Sequence, residues 1–234
     1  MLQYCFWEKK NNLQILTETL HQYYVDRNRK KLKHLKISIE KDISQNPNYP
    51  FTRHYFFMTL STLYHLDFFL ATPEQQNELI DYFFNVNYWQ FYDLCLMEHV
   101  VNMLHVEKMR PYLSDILKQY ATESMPKAST EIVNRILINT LETSIIQKKY
   151  SFTKYLLNKI AEYHFNSEDF WFQTWLLFWT GVYEKNHNKI RHAYSIPTYL
   201  HQNSTLQSFD NFLKITHTDN PFIENDKKKT HDIN

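Results

Sequence analysis

YWQFYDLCLMEHVVNML, from Tyr88 to Leu104, sets Trp89, Tyr92, Leu96, Met97, Val100, Val101 and Leu104 three and four residues apart. That is the period of a helix with one broad buried face, and the stretch is the longest apolar and aromatic helical pattern in the middle of the chain. It predicts a helix that anchors its neighbours, and similar periods recur on both sides of it.

Going toward the amino terminus, Leu13, Leu16, Leu20, Tyr23 and Tyr24 mark one helix, and Leu32, Leu35, Ile39 and Ile43 mark a second after a polar break at 26–28. Pro50 opens a third helix, expected to reach Leu70, after the loop of 45–50. Thr72-Pro73-Glu74-Gln75 predicts a helix start with Thr72 as cap and Gln75 closing a capping box. Going toward the carboxy terminus, helices are expected over 107–120, 131–149 and 152–163. Another is expected to be capped by Asn166 or Ser167 and to run to Lys185, followed by weaker ones over 188–201 and 205–216.

Composition agrees with an all-α protein. The 234 residues include one glycine, Gly181, whereas hairpin-rich sheets need glycine at positive φ and phosphate-binding loops need it outright. Such a length suffices to bury a self-sufficient core. Charge is balanced, 26 basic against 25 acidic residues, so there is no overall basic excess of the kind a dedicated nucleic-acid binder carries. Cys5 and Cys95 make neither a disulfide framework nor a metal site. No leader or apolar span is evident, and the expectation is a cytoplasmic protein that does not enter the membrane.

Breaks near Asp26, Thr72, His105, Lys149 and Asn186 cut the chain into units the size of helix hairpins, the organisation of helical solenoids. Gly181 and Ala193 stand twelve apart, as do the small residues of a tetratricopeptide repeat, although Thr180 and Glu184 depart from that repeat's large residues. The expected architecture is a right-handed superhelical array of antiparallel hairpins, a degenerate TPR-like solenoid. It would occupy 13–218, with 1–12 as a residual linker and 219–234 as a disordered polar tail.

The chain resembles the carboxy-terminal repeat domain of the Rgg/GadR/MutR transcriptional regulators over about residues 13–216. The resemblance is carried by Tyr23-Tyr24 with Asn28, by Glu78 to Phe84, by Trp89-x-x-Tyr92-Asp93-Leu94, by Ile136 to Asn139, by Tyr155 to Leu157 with Lys159-Ile160, and by Gly181 with Tyr183. Gln90 stands where the family often has glycine, and His99 where it commonly has asparagine. The resemblance implies a dimeric regulator that senses a short hydrophobic signalling peptide on the concave face of its repeats. It implies a helix-turn-helix as well, which residues 1–12 are too short to hold. The expectation is therefore a sensing domain that makes no direct DNA contact, as a homodimer or a heterodimer with a full-length regulator. An alternative is a scaffold or antagonist that only pairs with such a regulator.

Asn139 matches the family's inward asparagine and is the leading candidate for peptide contact. Arg135 lies one turn before it, and His99 and Asn102 are three apart on the Tyr88 helix. Trp171, Trp175 and Trp179 form a ridge at four-residue intervals; packing explains it, with Trp171 or Trp175 as the floor of a pocket for an apolar peptide side chain.

No catalytic, metal or cofactor motif is present. Arg29-x4-His34 fits the spacing of helical HEPN-type ribonucleases, but it lies in the basic stretch Arg27 to Lys36, which reads as a solvated helix face.

Overall fold

The computed structural model describes residues 2–46, 49–67, 69–122, 125–163 and 169–222, with side chains from residue 12 onward, Pro50 excepted. They form α1 (Leu2–Val25), α2 (Arg29–Gln45), α3 (Pro50–His65), α4 (Pro73–Phe84), α5 (Phe91–Val100), α6 (Arg110–Thr122), α7 (Lys127–Ile146), α8 (Tyr150–Glu162), α9 (Phe170–Glu184), α10 (His187–Tyr199) and α11 (Asn203–Ile215). Two 3₁₀ turns, Val101–Met103 and Val106–Met109, join α5 to α6, and no strand occurs among the described residues. The fold is all-α, built of helix hairpins. Two compact units share the chain, 1–116 and 117–234, and their boundary falls inside α6.

Several boundaries differ from those read in the sequence. The stretch 1–12, expected as a linker, is helical from Leu2. The Tyr88 helix starts only at Phe91, because Gln90 donates its backbone N–H to the Asp93 carboxylate (3.1 Å) and so ends the preceding loop. After Val100 the backbone tightens into the first 3₁₀ turn. Asn166, Ser167 and most of the expected polar tail lie outside the described residues. α9 instead begins at Phe170, with Asp169 accepting the Phe172 N–H at 3.0 Å. The Thr72 capping box is present, with both reciprocal bonds.

In the first unit, α2 and α3 pack as a hairpin, α1 lies on both, and α3 also carries α5. Leu32, Phe57, Met58, Leu79, Phe83, Leu94, Met97 and Val100 fill that core. In the second, α7 packs on α8 and α9, and α9, α10 and α11 follow as successive antiparallel neighbours. Phe178 stacks face to face on Phe209 at 4.0 Å, and the buried Trp179 leans on Phe212. At Gly181 the start of α10 lies close against α9: a Cβ there would stand 2.9 Å from Ile190 Cγ1 and 3.0 Å from the Ile190 nitrogen. Only glycine fits without displacing that backbone.

A single corner geometry recurs. Arg27, Lys148, Lys185, His201 and His217 all adopt left-handed backbone, with φ of 48°, 56°, 54°, 55° and 52°. At each, the following residue's N–H reaches back to the helix, as in Asn28 to Tyr23 O (2.8 Å), Lys149 to Ser144 O (2.8 Å), Asn186 to Gly181 O (2.8 Å), Gln202 to Pro197 O (2.8 Å) and Thr218 to Leu213 O (2.9 Å). These are Schellman closures, and four of them pass directly into the cap of the next helix. Glycine usually takes the left-handed position; among the described residues Arg, Lys or His takes it. At Arg27, Lys148 and Lys185 a cation at the negative helix end offsets part of the steric cost.

Candidate functional site

The candidate contacts divide between the two units. In the first, Trp89-x-x-Tyr92-Asp93-Leu94 is a packing device. Trp89 is buried against Phe83 and Tyr112, and Leu94 is wholly buried. Asp93 caps α5 and accepts the Tyr82 hydroxyl at 2.6 Å. Tyr92 is hydrogen-bonded to His54 Nδ1 at 2.8 Å, with Phe51 edge-on to its ring. Burial pushes the His54 imidazole down to about 4, against smaller upward pulls from Glu78 and Asp93, so the ring is neutral near pH 7. Burial likewise raises Tyr92 and Tyr82, the latter helped by its bond to Asp93.

His99 and Asn102 are both half-buried, but they do not share one helix. His99 closes the last turn of α5 with Nδ1 2.8 Å from the Cys95 carbonyl, whereas Asn102 sits in the 3₁₀ turn beyond. The Asn102 amide lies 3.3 Å from His65 Nδ1, and His65 stacks on Tyr24 at 4.9 Å. Asn102 thus joins a polar and aromatic relay from α1 and α3, which includes the Tyr24 of the sequence resemblance.

In the second unit, α7 is buried on nearly every side, including Ile132, Val133, Ile136, Leu137, Ile138, Leu141 and Ile145. Glu131, Arg135 and Asn139, four residues apart, form the narrow polar line that still reaches the surface over its middle. Next along that line is Glu142, a carboxylate at 5% exposure that the sequence reading did not single out. Asn134, beside Arg135, donates to the Asp169 carboxylate at 2.6 Å and so ties α7 to the cap of α9.

The tryptophan ridge of α9 descends from surface to core. Trp171 is 43% exposed, Trp175 is half-buried with Phe209 edge-on at 4.8 Å, and Trp179 is fully buried. Trp171 and Trp175 border a small open cavity of about 70 Å³, completed by Phe170 and Thr174, by Ile196 and Leu200 at the end of α10, and by Gln202 and Thr205. Its wall is apolar with a few hydroxyl and amide groups, suited to one or two apolar side chains. Arg135 and Asn139 do not line it. The α10 contributors were missed in the sequence, although the adjacent Tyr199 and Leu200 at a helix end were a visible sign.

The ribonuclease arrangement is not formed. The Arg29 guanidinium is bound by Asp67, and five residues of helix place His34 about 140° around α2 from it. Among the described residues there is no cluster of metal-ligating side chains, and no helix is long and apolar enough to cross a membrane.

The chain belongs to the family described as the C-terminal domain of the HTH-type transcriptional regulator Rgg, which matches residues 12–211. It is therefore a domain of transcription-regulator type, not of an enzyme family. Comparison with curated protein sequences gives no match. Among solved structures it is similar to the Streptococcus dysgalactiae SHP pheromone receptor Rgg2, with TM-score 0.65 and 21% identity over 86% of this chain and 74% of that one. RopB gives TM-score 0.63 and 18% identity, covering 93% and 98%. A putative transcriptional regulator from Listeria monocytogenes EGD-e gives 0.60 and 13%, covering 85% and 72%. At these identities the structures attest the fold.

Proposed function

We propose that this chain is the sensing domain of a cytoplasmic transcription regulator that binds a short hydrophobic signalling peptide and signals as a dimer. The observation that carries the reading is α7: a helix buried almost all round whose half-buried Arg135 and Asn139 can donate and accept along an extended backbone. Family membership supports it, as does the similarity to Rgg2, an SHP pheromone receptor. Within the second unit the cavity beside Trp171 and Trp175 is the place for an apolar side chain; within the first, His99 and Asn102 are separate candidate contacts.

Isothermal calorimetry against short hydrophobic peptides encoded beside the gene tests this. Saturable binding is expected, weakened at least tenfold by Asn139→Ala, about the worth of one lost hydrogen bond to a buried partner. Absence of binding by a folded, dimeric wild-type chain would discard the sensor reading in favour of a scaffold that pairs with a full-length regulator.

A further inference from the structure

The basic corner between α1 and α2 has a use beyond peptide sensing. From Arg27 to Lys36 the chain carries Arg27, Arg29, Lys30, Lys31, Lys33 and Lys36 and no acidic residue. The sequence alone favours a solvated face, since its leucines keep helical register and Glu40 and Asp42 follow. The structure shows how few acidic residues neutralise it: Asp67 takes Arg29 and Glu40 takes Lys36, while Arg27, Lys30, Lys31 and Lys33 are exposed and in no ion pair among the described residues, Lys31 lying over the Tyr23 ring at 5.3 Å. Asp67 is itself crowded by cations. Its carboxyl is held below the usual range by the Arg29 hydrogen bond first, with Arg27 and Lys33 adding to it. The Schellman corner fixes Arg27 beside the positive end of α2, which Asn28 caps. Leu32 and Ile39 hold the opposite face of α2 in the core, so the cations cannot turn inward.

We propose that this corner docks on the phosphate backbone of duplex nucleic acid through Arg27, Lys30, Lys31 and Lys33, without reading bases. The residue types decide against a protein partner. Protein interfaces centre on aromatic and apolar anchors and are depleted in lysine, whereas phosphate contacts need only mobile cations spread along a rigid element. Such contacts are distinct from the base reading of a helix-turn-helix, which this surface does not resemble. They would hold a regulatory domain close to DNA independently of any peptide.

The test is fluorescence anisotropy of the full chain with a labelled random duplex of roughly 30 base pairs over a series of salt concentrations. Four phosphate contacts give a slope of log K against log salt of about −3.6. Lys30→Gln with Lys33→Gln is expected to lower the slope to about −1.8 and weaken binding at least tenfold in low salt. Lys127→Gln with Lys154→Gln, exposed cations of the second unit, is the control and should leave both unchanged; circular dichroism verifies that each variant is folded. No binding by wild type in low salt, or equal loss in the control pair, overturns the proposal. Tighter binding of poly-glutamate than of the duplex at matched charge and salt overturns it in favour of an acidic protein partner.

Discussion

His54 is 9% exposed, closed in by Tyr82, Tyr92 and Phe51, and its neutral ring is part of the first unit's core. Its folded value of about 4 lies below the ordinary 6.5, so between these limits the unfolded chain binds the extra proton. The contribution is complete above pH 6.5 and is lost as pH falls toward 4, at most about 3 kcal/mol over the whole window. Urea unfolding at pH 7.5, 6 and 5 should show midpoints falling with pH, and His54→Gln should flatten that dependence although it is less stable at pH 7.5. An equally steep fall in the variant would assign the effect to other groups. Nothing in the sequence around Arg53-His54-Tyr55 announces this: the partner, Tyr92, is 38 positions away. Tyr92 itself is legible as one position of a buried helical face and as one element of a family resemblance, whereas its physical role emerges only with the ring contacts.

At the scale of elements, periodicity was a good guide to helices and a poor one to their ends. Thr72 declared its helix because the capping box is local chemistry. Tyr88 and Trp89 misled because their aromatic spacing continues the helical pattern outside the helix: Trp89 is buried from a loop, where burial and helical register coincide by chance. The turns were hidden for a different reason. A chain with one glycine gives no sign of left-handed closures, yet among the described residues five helices end in them on Arg, Lys or His. Each such residue costs roughly 1 kcal/mol that glycine would not, less, at Arg27, Lys148 and Lys185, what the cation returns at the helix end. Lys148→Gly with Lys185→Gly, at corners of separate hairpins, is therefore expected to stabilise the chain by about 1 kcal/mol in total, a rise in melting temperature of roughly 2–4 °C. A fall in melting temperature would mean that the lysine side chains hold these corners by contacts stronger than the backbone cost.

For the whole molecule, the all-α hairpin class was readable from composition and period, and the family from ordered short matches, because both are statements about many residues at once. The division at residues 116 and 117 was not readable, since it falls within the unbroken pattern of α6, whose Leu113, Ile116 and Leu117 are all buried. The candidate site was half legible for the same reason: single polar residues such as Asn139 stand out against an apolar helix, whereas a cavity assembled from α9, α10 and α11 exists only once they pack. If a peptide engages the second unit as proposed, it binds the folded chain alone, and mass action must raise its stability. At a hundredfold excess over the dissociation constant the gain is about 2.7 kcal/mol, or roughly 5–10 °C in melting temperature for a chain of this length. Trp175→Ala, which opens the cavity floor, should lower the melting temperature of the free chain and also shrink the peptide-induced rise. The second effect discriminates: a Trp175 that only packs against Phe209 and Phe212 would leave the increment intact while lowering both curves together.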